Sequence, residues 1–158
     1  MELLLNDSEA HRLIKIFKTT LEKHNVAISY GDSGEIKLKS FEGKREFILR
    51  YRFSEAKTIF HFQDLETNHT LFRVTLSASF HKNSDNVKIY GNRINVFDES
   101  EFYAKNDGTT HCKCHSLPYE GISDSDDFLT IFDQVCIYAS IEKQGNINIS
   151  IANQQTLF

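Results

Sequence analysis

Tryptophan is absent from this 158-residue chain, proline occurs once, at Pro118, and methionine only at position 1. With seven glycines beside that single proline, the composition excludes linker-rich, collagen-like and low-complexity architectures. No apolar run approaches the roughly 18 residues a membrane-crossing helix needs. The opening MELLL has no basic stretch ahead of it and no small-residue cleavage site, so it does not read as a secretion signal. Three cysteines, an odd number without framework spacing, suit reduced thiols. A cytoplasmic location in a bacterial host is expected. There is no phosphate-cradling glycine loop, GxSxG elbow, HExxH pair or calcium loop, so neither cofactor nor metal is expected.

What the chain does have is aromatic mass: thirteen Phe and six Tyr, enough for a sizeable core in one domain spanning 1–158. Its net charge of −4 is unevenly spread. Residues 1–97 carry a small basic surplus, whereas residues 98–127 hold eight acids and two lysines. An acidic whole gives no support to sequence-independent nucleic-acid binding, which rests on a basic surface. The acids Asp98, Glu99, Glu101, Asp107, Glu120 and Asp124 could instead steer a basic partner. The run from Asp124 to Asp127 also suits a helix N-terminus.

The spacing of Leu13, Ile14, Phe17 and Leu21 predicts a helix over 7–24, with Asn6 as cap, Glu9 completing a capping box and Leu5 and Ala10 as a staple. Strands are predicted at 26–30, 35–41, 45–53, 57–63, 70–80, 87–90, 93–97 and 110–116. A helical turn at 100–103, a second helix at 126–140 and a closing strand at 146–151 follow, and residues 154–158 carry no clear pattern. Phe72, Val74, Leu76, Ala78 and Phe80 alternate with Arg73, Thr75, Ser77 and Ser79, and Gly91-Asn92 reads as a tight turn or a bulge. Short connections favour antiparallel neighbours. The expected fold is α+β: a curved antiparallel β-sheet with an N-terminal helix and a second helix near the C-terminus packed on one face. The opposite face would carry Arg50, Arg52, His61, Gln63, Arg73 and Arg93.

Two stretches invite a chemical reading. His111-Cys112-Lys113-Cys114-His115 offers four nitrogen and sulfur ligands, but strand alternation sends the cysteines and the histidines to opposite faces, so they cannot close one zinc tetrahedron. Buried thiols and solvent-facing imidazoles are expected there, and no thiol nucleophile. The loop His81, Asn83, Asp85 offers polar groups at every second position. Metal-free RNA cleavage needs an acid/base pair and a cation for the developing phosphorane charge. His81, Asp85 and Arg73 fill those roles if the loop folds back over the sheet. Against this, no second histidine is tied to the loop, and Asn and Asp also serve turn geometry.

From Leu71 onward, Arg73, the His81/Asn83/Asp85 loop, Leu117-Pro118 and the apolar helix after it resemble an uncharacterised family of small proteins of Gram-positive bacteria and mobile elements. Arg93 and Asn95 stand where that family's pattern has paired histidines. In size, acidity and phage-like composition the whole chain resembles staphylococcal anti-CRISPR proteins. That resemblance implies a non-enzymatic inhibitor that binds a type II-A Cas9 nuclease with its guide RNA and blocks DNA binding, activation or cleavage. The competing expectation is an RNA-binding or RNA-cleaving protein using the face of Arg50, Arg52, Arg73, His81, Asp85 and Arg93. No membrane partner is expected.

Overall fold

Alternation of aromatic and polar residues lays down the sheet. The computed structural model describes residues 1–152; the 154–158 tail lies outside them. The elements are α1 (Asp7–Lys15), β1 (Lys18–Thr20), β2 (His24–Ile28), β3 (Ser33–Ser40), β4 (Glu46–Arg52), β5 (Thr58–Asp64), β6 (Thr70–Leu76), β7 (Phe80–Lys82), β8 (Lys88–Tyr90), β9 (Arg93–Phe97), α2 (Glu99–Lys105), β10 (Cys112–Ser116), α3 (Phe128–Tyr138) and β11 (Ile147–Ile151). Seven strands form one antiparallel sheet in the order β1-β3-β4-β5-β6-β9-β10. Phe47, Leu49, Phe60, Phe62, Phe72, Val74 and Ile94 point to one face and are completely buried. α1 and α3 cover that face: the Phe128 ring lies 5.0 Å from both Phe53 and Phe60, and Tyr138 meets Phe72 edge-on at 5.0 Å. The protein is α+β, as the pattern predicts.

α1 begins with the Asn6–Glu9 capping box but ends at Lys15, well short of residue 24. Phe17, counted on its apolar face, is 72% exposed, and Leu21 is exposed too. The reason is Lys18. Its side chain is completely buried, and its Nζ donates to the carbonyls of Ile14, Ile16 and Ala139 at 2.6–2.8 Å. Those are carbonyls at the ends of α1 and α3, which no helical N–H can satisfy. One ammonium therefore caps two helix C-termini, where their dipoles favour positive charge. Burial pulls the Lys18 pKa down to about 7. Three carbonyl acceptors, the full complement of an –NH3+ group, and the Phe47 and Phe62 rings beneath it oppose that by favouring the charged form. With Lys18 so anchored, Thr19 and Thr20 pair with Lys39 and Leu38 as an edge strand instead of extending the helix.

Two further departures bear on the site. β2 and β11 pair with each other in parallel, outside the main sheet. The predicted strand over 70–80 breaks at Ser77-Ala78, and Ala78 and Phe80 are exposed. Phe80 instead opens a separate hairpin of β7 and β8, so Gly91-Asn92 is neither hairpin turn nor bulge; it is the bend by which the chain leaves that hairpin and returns to the sheet as β9. Gly91 sits there at φ +79°, where a side chain would be strained.

Candidate functional site

On the face turned away from α1 and α3, the antiparallel register sets a row of side chains across six strands: Glu35, Arg50, His61, Arg73, Asn95 and Cys114. The next row holds Arg52, Ile59, Thr75 and Arg93. Because side chains of period two alternate faces, the aromatic core of β4–β6 and this cationic row are two consequences of one pattern.

The β7–β8 hairpin is tied down at both ends. At its base, buried Arg93 donates to the Ser79 and Gly91 carbonyls, both at 3.0 Å, and to Ser79 Oγ. At its tip, the buried Asn83 amide makes a two-way pair with the backbone of Cys114, both bonds 2.9 Å, sealing the open edge of β10. Ser84 N–H and Oγ donate to Glu101, each at 2.7 Å, and Lys105 donates to the Lys82 carbonyl. These ties lodge His81 against the polar face.

A cleft of about 410 Å³ results, whose charged and titratable lining is Lys57, His61, Arg73, His81, Arg93 and His111. No carboxylate among the described residues lines it. Among the described residues Arg50 is paired with Glu35 and Arg45 with Asp64 and Glu66, whereas Arg73 is exposed and has neither an ion pair nor a side-chain hydrogen bond. His81 and His111 line the cleft, and their Nε2 atoms are buried from solvent without a hydrogen-bond partner among the described residues. His111 Nδ1 lies 2.8 Å from the Thr109 carbonyl, which can only accept, so Nδ1 carries the proton and Nε2 the free lone pair. Burial, then Arg73, Arg50 and His111, hold the His61 pKa down at about 4. Burial, then Lys105 and Arg93, lower that of His81, with Glu101 opposing. Cys112 also borders the cleft, but burial raises its thiol to about 12 and leaves no thiolate at neutral pH.

Of the sequence candidates, Arg73, His81 and Arg93 meet in this cleft. Arg50 and Arg52 line an adjoining depression that shares His61 and Arg73. Asp85 does not join them: it is exposed and accepts from Val87 N–H within the hairpin turn. The second imidazole that the loop lacks in sequence comes from β5 and from the residue ahead of β10. His111 is not solvent-facing as alternation implies, because β10 starts only at Cys112 and its preceding residue is free of the strand's alternation. His115 stacks on Tyr119 at 4.7 Å. Lys57 carries no sequence signal as a site residue, and His111 and Asn95 are signalled only in other connections, since the register and the hairpin's fold-back are what bring them to His81.

The acids predicted to meet a partner fare differently. Glu101 is only 4% exposed and is consumed by Ser84, so it cannot reach a partner. Asp98 caps α2, and Glu99 exchanges hydrogen bonds with Asp7. Asp107 is exposed but accepts from Thr109 and Thr110. Glu120 is exposed in a turn. Asp124 and Asp126 both accept from Asn92 and, with Glu55, border a second cleft of about 540 Å³ that no lysine or arginine among the described residues lines. Among the described residues no helix is long and apolar enough to cross a membrane, and no group of three or more His, Cys, Asp or Glu is placed to hold a metal ion.

Fold and site together define an α+β protein with a cationic, imidazole-rich cleft on the open face of its sheet. The chain belongs to a family of unknown function, DUF6978, whose model matches residues 5–141 and so takes in the sheet, the hairpin, all three helices and every residue of the cleft. No curated protein and no solved structure matches it.

Proposed function

We propose that the cleft binds single-stranded RNA through its phosphate backbone. One observation carries this reading: in a chain of net charge −4, a single concavity gathers Lys57, Arg73, Arg93 and three imidazoles and, among the described residues, no carboxylate. Phosphate is the ligand that such a donor set suits, because cations and N–H donors release its counterions and pair its oxygens. Outside the cleft, on the hairpin face opposite His81, exposed Phe80 and Tyr90 pair with rings 5.3 Å apart and Lys88 over Phe80, a stacking surface that tolerates any base of a strand leaving the cleft. The overall acidity does not count against the reading, since none of the acids of the 98–127 stretch lines the cleft. The test is fluorescence anisotropy of a labelled mixed-sequence RNA of about a dozen nucleotides. Wild-type protein binds it and Arg73→Ala weakens it; an unchanged signal with wild type at low salt rejects the proposal.

A second reading, inhibition of a Cas9 nuclease by protein binding, draws support from the acidic cleft at Glu55, Asp124 and Asp126, which suits lysine or arginine side chains of a basic partner. It requires that the protein stop DNA cleavage by some type II-A Cas9 and co-elute with it. Full cleavage across a panel of orthologues sinks it.

A further inference from the structure

We infer that the cleft reads sequence as well as backbone: the Asn95 carboxamide pairs with an adenine base of the RNA held on Arg73. The inference rests on the RNA-binding reading and adds a base preference to it. Ile94 and Val96 are buried in the core, so strand alternation turns Asn95, between them on β9, to the polar face, where it lines the cleft. In register it stands beside Arg73 of β6 on one side and Cys114 of β10 on the other. Asparagine is depleted in strands, and the other asparagines nearby are employed within the fold. Asn83 exchanges two bonds with the backbone of Cys114, and Asn92 ties Ser77 to Asp124 and Asp126. Asn95 is half-buried, and its side chain makes no hydrogen bond among the described residues. The unpartnered polar atoms closed off from solvent there are Nε2 of His81 and of His111; the Asn95 amide stays open to a ligand in the cleft.

A carboxamide sets one acceptor, Oδ1, beside the donors of Nδ2, so its two-bond partner is an edge with a donor next to an acceptor. Adenine carries that pair on both of its pairing edges, because its N6 amino group lies between N1 and N7. The Hoogsteen edges of guanine and the pyrimidines do not carry it, and guanine's N7 and O6, both acceptors, suit a guanidinium instead. In the pair, N6–H donates to Asn95 Oδ1 while Nδ2–H donates to N7 or N1. The placement beside Arg73 matters as much as the chemistry. Neighbouring strands lie about 4.8 Å apart, so Arg73 holds a phosphate while Asn95 meets a base of the same or the adjoining nucleotide. Arg73 has no partner among the described residues either, which leaves both halves of this contact to the ligand.

The experiment titrates the full chain, by anisotropy at low salt, into labelled oligo(A), oligo(U) and oligo(C) RNAs of the length used for the mixed-sequence strand. A fourth RNA of purine riboside keeps the fused ring of adenine and lacks its N6 amino group. Oligo(A) should bind roughly tenfold or more tightly than each of the other three. Asn95→Ala, and Asn95→Leu which keeps the volume, should each bring oligo(A) down to the affinity of oligo(U), and an unchanged circular dichroism melt shows that they are folded. Equal binding of all four RNAs by wild-type protein, or a preference for oligo(U) or oligo(C), overturns the base-reading inference and leaves the phosphate reading standing. A preference for oligo(A) that purine riboside shares, or that survives both Asn95 variants, also overturns it. Absence of binding to every RNA overturns both.

Discussion

Two clefts of similar size, about 410 and 540 Å³, share no residue and carry opposite charge. Among the described residues, the first holds two arginines, a lysine and three histidines without a carboxylate; the second holds Glu55, Asp124 and Asp126 without a lysine or arginine. Their difference teaches that net charge misdescribes this molecule. Strand alternation places cations of β4–β6 on one face, and the acidic stretch after residue 97 falls on other elements. The acids also differ from the cations in freedom. Glu101, Asp98 and Glu99 are absorbed into caps and loop anchors, whereas Arg73 is left without a partner among the described residues. A charge already satisfied within the fold contributes little to a ligand; an unsatisfied one in a concavity contributes much.

The comparison can be broken most sharply at Arg73. Arg73→Glu places a carboxylate where none stands and should weaken RNA binding roughly 100-fold, about 3 kcal/mol, by anisotropy at low salt. Asn83→Ala is next. It removes both bonds to Cys114, leaves that strand edge unpaired and should cost about 2 kcal/mol of stability by urea titration, with weaker RNA binding as the hairpin loosens.

A change of pH should have a smaller effect, at most about tenfold per unit for each proton taken up. Bound phosphate favours the charged imidazole, so RNA affinity should rise as pH falls from 7.5 to 6. Stability moves the other way. Burial, the first cause in each case, holds the pKa values of His24, His61, His69, His81 and His115 below the usual histidine range. The unfolded chain thus binds more protons, and the urea midpoint should fall as pH drops from about 6.5 toward the His61 value of about 4. The smallest effect is expected at the other cleft. Asp124→Asn with Asp126→Asn should change RNA affinity by less than about twofold, because neither side chain lines the cationic cleft.

Much of the architecture is legible in the sequence because alternation and capping are local. Phe47–Leu49–Tyr51, Phe60–Phe62 and Phe72–Val74 announce β4–β6, and Asn6 with Glu9 announces the start of α1. What the pattern hides is set by tertiary partners. Leu13, Ile14, Phe17 and Leu21 keep helical spacing past the true end of α1, because nothing local says that Lys18 will be drawn inward by carbonyls of two helices. The run over 70–80 conceals a break, since Phe80 is as good a strand residue exposed as buried. The cleft was half legible: Arg73, His81 and Arg93 could be named, but His61 and His111 join them through strand register and a fold-back held by Asn83 and Glu101. Asn83 belongs to a loop that reads as chemistry, and its work is to position a neighbour.

The central claim, that the carboxylate-free cleft is a phosphate-backbone site, is tested most directly by the salt dependence of RNA affinity. Neutralisation of two phosphates by Lys57 and Arg73, the cleft cations not spent on anchoring the hairpin, predicts that the logarithm of affinity falls against the logarithm of salt with a slope of about −1.4. Arg73→Ala should make that slope shallower by about 0.7. No measurable binding at low salt, or a slope near zero that Arg73→Ala leaves unchanged, would contradict it.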